Sequence, residues 1–149
     1  MAVRLTPEAV RDQHEWARER APRLTALVDD TRRFLADAFD TEVGSVDVGQ
    51  VRAEVDAVFA DGDRGLNVAG YVLLLRELDV EDDYPGFVVD ERLGRLLAAT
   101  VAGGDPLGLL AEATFHVADV RTHGGGTAGL DDLDAALAAG LQTRLPGWP

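Results

Sequence analysis

The residues best spaced for chemistry are Glu112, His116, Asp119 and His123, separated by four, three and four positions. At ~100° per residue they fall on one narrow stripe of a single helix. Carboxylates and imidazoles so aligned can ligate zinc, iron or manganese in a helical bundle, with the remaining ligands arriving from other helices. His14 is the candidate for a further imidazole, because it sits on the inward stripe Val10, His14, Ala17 and Ala21 of the first expected helix. The same set can do acid–base work, with His116 and Asp119 as the catalytic pair. Glu112, His116, His123 and His14 would then be the ligands of a divalent metal. Against this, Glu–His and His–Asp pairs at helical spacing also form as surface hydrogen bonds or weak ion pairs. His123, at a helix end, also suits the negative pole of the dipole.

A second stretch, Phe59 to Asn67, superficially resembles a calcium loop of the EF-hand type, with Asp61 and Asp63 at ligand positions. The match fails where such a loop is most demanding: Phe59 stands at the first ligand, Arg64 at the turn glycine and Gly70 at the terminal acid. A degenerate cation-binding module is a further alternative, and an acidic glycine turn before a capped helix is the plainer reading. The glycines at 103–104 and 124–126 make no phosphate cradle, since no strand precedes the first pair, Asp105 would repel an anion, and the second run follows a helix. The one serine, Ser45, has no histidine beside it, and there is no cysteine to serve as nucleophile, metal ligand or disulfide.

These residues need a scaffold, and the patterning predicts helices throughout. Thr6-Pro7-Glu8 carries an N-cap, a first-turn proline and an acid at the positive end of the dipole. Pro22 kinks or restarts that helix. From Arg23 to Phe39 the apolar residues Leu24, Leu27, Val28, Phe34, Leu35, Ala38 and Phe39 recur at helical spacing. Asp47 caps a valine-rich helix with Val51, Val55 and Val58 inward. Asn67 caps the next, Val68 to Leu78, which is apolar nearly all round and so is expected at the centre or at a subunit interface. Asp79 to Phe87 reads as an exposed loop, and Asp90 caps a helix ended by Gly103-Gly104. Asp105-Pro106 opens another that runs to about Thr122, and Asp131 begins a short final helix. Strands are expected only as fragments near 42–46 and 87–89.

The result is an all-α reading: one irregular bundle of six or seven helices over residues 1–149, with irregular termini at 1–5 and 142–149. At 149 residues and 46% hydrophobic composition the chain has material for one sizeable core. Residues Met1 to Val10 lack the organisation of a signal peptide, and no apolar run approaches the ~18 residues that span a bilayer. With no cysteine, a cytoplasmic setting is expected. A net charge of −13 repels phosphate backbones and anionic lipid, which disfavours nucleic acid and membrane partners. The functional expectation is therefore binding without catalysis, to a protein partner or by self-association. The alternative is a small metal-dependent or acid–base enzyme around His116.

Overall fold

Thr6 starts the first helix as its chemistry demands: Oγ1 accepts the Ala9 N–H at 3.0 Å, and Pro7 occupies the first turn, where its missing donor costs nothing. The computed structural model describes residues 4–77, 84–122 and 128–147. Among them seven helices follow in order: α1 Pro7–Glu19, α2 Ala21–Ala38, α3 Val48–Phe59, α4 Gly62–Glu77, α5 Tyr84–Ala102, α6 Leu107–Thr122 and α7 Ala128–Gln142. No strand occurs among the described residues, so the segment 42–46 is irregular and 87–89 is helical. No described helix is long and apolar enough to cross a membrane.

Pro22 separates α1 from α2 by a single residue, Arg20, because a proline ring cannot follow a continuous helix without clashing with the carbonyl four residues earlier. α3 opens on a full capping box. Asp47 Oδ1 accepts the Gln50 N–H at 2.8 Å, and Gln50 Oε1 accepts the Asp47 N–H at 3.0 Å.

Three helix starts differ from the sequence expectation. α4 begins at Gly62 rather than at Asn67, and Asn67 is internal. Gly65 is required by packing and is not a turn signal, since a Cβ there would lie 2.3 Å from the Phe59 carbonyl oxygen. α5 begins at Tyr84 rather than at Asp90, with Pro85 accommodated in its first turn. The expected loop from Asp79 lies outside the described residues as far as 83. α7 begins at Ala128, ahead of Asp131.

The centre of the bundle is α7 and not the apolar α4. Every residue from Leu133 to Thr143 is buried, and α2, α4, α5 and α6 all pack against this helix. Small residues make that possible. A Cβ on Gly140 would stand 2.6 Å from Val101 Cβ, so α5 and α7 touch almost backbone to backbone. Gly94 likewise leaves room for the Phe115 ring between α5 and α6. α4 buries Val68, Ala69, Val72 and Leu75 on one side, and Leu66 remains 39% exposed on it.

Two buried charges tie the sequence-distant parts together. Asp134, midway along α7, accepts hydrogen bonds from Arg20 at 2.7 and 2.5 Å and from Arg23 at 2.6 Å. At the C-terminal end of α7, the fully buried Arg32 of α2 donates to the carbonyls of Gln142, Leu145, Pro146 and Gly44 at 2.8–3.1 Å. The Gln142 carbonyl is an orphaned acceptor at the C-terminus of α7, where a guanidinium complements the dipole, while those of Leu145, Pro146 and Gly44 belong to irregular segments with no helical partner. Burial pulls the Arg32 guanidinium below its ordinary value, and Asp29 opposes the shift by its charge.

Candidate functional site

The apolar stripe of α2 outruns the core. Leu24, Leu27, Val28 and Leu35 are buried, but Phe34 is 42% and Phe39 is 74% exposed, although both belong to the same helical series. They are expected inward from the sequence and instead line an open groove between α2 and α6.

The groove is shaped by how α2 ends. Asp40 adopts φ +48°, the Thr41 N–H donates to the Ala36 carbonyl at 3.0 Å and the Asp40 N–H reaches the Asp37 carbonyl at 3.5 Å. This is a Schellman closure with aspartate at the left-handed position that glycine usually takes, a conformation aspartate tolerates. The reversal carries Thr41 and Val43 back as a wall beside Phe34, Ala38 and Phe39. The Arg32 clamp on Gly44, together with Asp29 Oδ1 accepting the Val46 N–H at 3.0 Å, holds that wall in place.

α6 supplies the facing side with Leu110, Ala113, Thr114 and Val117, which share one face of the helix. The enclosed volume is about 460 Å³. Its lining is almost wholly carbon, because the Thr114 hydroxyl is spent on the Leu110 and Ala111 carbonyls at 3.0 and 3.2 Å. Apolar surface continues outside the groove along α6, where Leu109 is 59% and Val120 is 56% exposed.

The charge around this apolar surface is negative. Asp37, Asp40 and Glu42 are exposed and alternate in sequence with lining residues. Arg33 is paired with Asp30 at 4.0 Å. α6 carries Glu112 and Asp119 and no lysine or arginine from Leu107 to Val120.

The histidine and carboxylate stripe does lie on α6, with its three described members in different environments. His116 is exposed, Glu112 half-buried and Asp119 buried. His123 lies outside the described residues. His14 belongs to another part of the bundle. Its Nε2 is 2.6 Å from Asp56 Oδ1 on α3, its ring stacks on Phe59 at 4.9 Å, and Arg18 shares the same carboxylate. Among the described residues no three histidine, aspartate or glutamate side chains converge as a metal site. Asp61 and Asp63, the calcium-loop candidates, flank the start of α4; the segment is helical from Gly62 onward and Asp61 pairs with Arg64 at 3.0 Å.

Arg32 and Asp134 were not singled out by the patterning. Arg32 had a signal, since it follows Leu24 and Val28 at successive intervals of four and so falls on the buried stripe. A cation there demands acceptors, and the C-terminal end of another helix supplies them.

Residues 3–149 match the family model described as a domain of unknown function, DUF7984. No curated protein and no solved structure matches the chain.

Proposed function

The chain belongs to the DUF7984 family, a domain of unknown function, and we propose that it is an interaction module that takes apolar side chains of a protein partner into the α2/α6 groove. The observation that carries this reading is the groove itself: about 460 Å³ lined by carbon, with Phe34 and Phe39 left 42% and 74% in water. Single exposed apolar residues are ordinary on any protein. A contiguous patch with a concave centre and a polar rim marks a place where another molecule binds. The absence of cysteine fits a cytoplasmic setting, and the charge of −13 speaks against nucleic acid as the occupant.

Panning a displayed peptide library on the full chain, with counter-selection on the Ala113→Arg variant, tests the reading. Ala113 is exposed, so the arginine fills the groove without entering the core. Peptides retained by the wild type and lost on the variant are expected. Equal enrichment on both proteins, or none on either, sinks the proposal. The competing chemistry centred on His116 is separated by elemental analysis, where stoichiometric metal lost in His116→Ala would favour an enzyme.

A further inference from the structure

We infer that the segment entering the α2/α6 groove is an amphipathic helix whose apolar anchors are flanked by arginine or lysine; this rests on the docking reading above. The length of the groove suits that class. Leu110 and Val117 are seven residues apart on α6, which corresponds to ~10 Å of helix axis at 1.5 Å per residue. Anchors at i, i+4 and i+7 of a second helix span the same distance, so a helix lying along the groove seats three side chains. A lining almost wholly of carbon, with the Thr114 hydroxyl already satisfied and Thr41 at the exposed rim, offers a peptide backbone few partners. An occupant that has paired its own backbone groups, as a helix has, is therefore favoured over an extended strand.

Charge selects what flanks those anchors. From Asp30 to Glu42 the chain carries four acids against one exposed arginine, Arg33, and Arg33 is already paired with Asp30. Asp37, Asp40 and Glu42 alternate with the lining residues Ala38, Phe39, Thr41 and Val43, so any occupant's edge passes close to them. The whole chain adds a field of net charge −13. That arrangement disfavours a second copy of this chain, which would bring the same acids against themselves, and it disfavours a fatty acid, whose carboxylate would meet the same rim. A cationic helix gains attraction at long range and pairing at the rim, with specificity and association rate affected most.

The test uses three synthetic helical peptides with identical Leu, Leu and Phe anchors at i, i+4 and i+7, flanked by Arg, Gln or Glu. Each is titrated by fluorescence anisotropy against the full chain at ~0.1 M and ~1 M salt, where the Debye length falls from about 10 Å to about 3 Å. The Arg-flanked peptide is expected to bind roughly 30-fold or more tighter than the Glu-flanked one at low salt and within a few-fold at high salt. It should lose most of that advantage on an Asp37→Asn, Asp40→Asn, Glu42→Gln triple variant, in which asparagine at 40 keeps the left-handed conformation accessible. Equal, salt-independent binding of the Arg and Gln peptides, abolished by Ala113→Arg, would overturn the charge inference and leave the groove reading standing. Binding of no peptide, or binding indifferent to Ala113→Arg, would overturn both. Laurate saturating the groove when no peptide binds, or a dimer in light scattering that Ala113→Arg dissolves, would replace the proposed occupant.

Discussion

The guanidinium of Arg32 and the carbonyl of Gln142 stand 2.8 Å apart across 110 positions of sequence, at the C-terminal end of α7. Through this contact and its companion bonds to Leu145, Pro146 and Gly44, one buried side chain fastens the last turn of the central helix, the chain's final segment and the wall of the groove to α2.

Arg32→Leu is therefore expected to cost about 3–5 kcal/mol, as for removal of one member of a buried charged network, because four carbonyls lose their donor and Asp29 its cation. That is a large part of the ~5–15 kcal/mol available to a domain. Urea unfolding followed by circular dichroism checks it. A midpoint shift equivalent to less than ~1 kcal/mol would mean that water replaces the guanidinium freely.

Asp56 makes the acid limb of stability specific. Partial burial alone raises its carboxyl, but hydrogen bonds from Arg18 and His14, and then their charges, outweigh this and hold it below its ordinary 3.8. With the folded value below the unfolded one, the contribution is complete above pH ~4 and is lost as pH falls through the folded value. Asp56 is 41% and Arg18 45% exposed, so solvent screening keeps the effect small. The Tm difference between wild type and Asp56→Asn should be present at neutral pH and shrink progressively as pH falls below the unfolded value of about 3.9. A difference that persists unchanged into acid would assign it to packing rather than to charge.

Helix identity was readable because each helix hides a stripe and the stripe has a period. Thr6, Pro22 and Asp47 act as the rules for caps and breaks require. What periodicity cannot convey is which stripe finds a partner. Phe34 and Phe39 carry the same pattern as Leu24 and Val28, yet among the described residues no helix buries them at the end of α2. The central role of α7 was hidden for a related reason: its burial depends on alanine and glycine letting neighbours approach, and small residues carry little hydropathy signal. His14 and His116 are candidates for one site in sequence, but the packing gives His14 to Asp56 on α3 and leaves His116 exposed on α6. Pairings between distant elements of this kind are tertiary facts with no local signature.

Gly140 tests that close approach directly. In a helix interior Ala is favoured over Gly by roughly 1 kcal/mol, so an exposed Gly→Ala change would stabilise. At Gly140 the new Cβ would stand 2.6 Å from Val101 Cβ and 2.7 Å from the Ala98 carbonyl oxygen, and neither is the free end of a flexible chain. Overpacking of about 1–3 kcal/mol should win. Gly140→Ala is expected to melt below the wild type, and paired Val101→Ala, which keeps the Cβ but removes the Cγ1 that would stand 2.8 Å away, should recover only a small part of the loss. A rise in Tm for the single variant would show that α5 can move away from α7.

Phe39 separates the groove from the core. Because it is 74% exposed, Phe39→Ser should change stability by no more than about 0.5 kcal/mol, whereas Phe115→Ala, fully buried beneath α5, should cost about 3–5 kcal/mol. Binding of an uncharged apolar dye such as Nile red to the native chain should respond in the opposite order. Phe39→Ser removes part of the groove and should weaken it by about threefold to tenfold, a change of roughly 1 kcal/mol. Phe115→Ala, measured below its own unfolding transition, should leave the groove able to bind. Dye affinity indifferent to Phe39 would place the accessible apolar surface elsewhere on the bundle and remove the site on which the docking proposal stands.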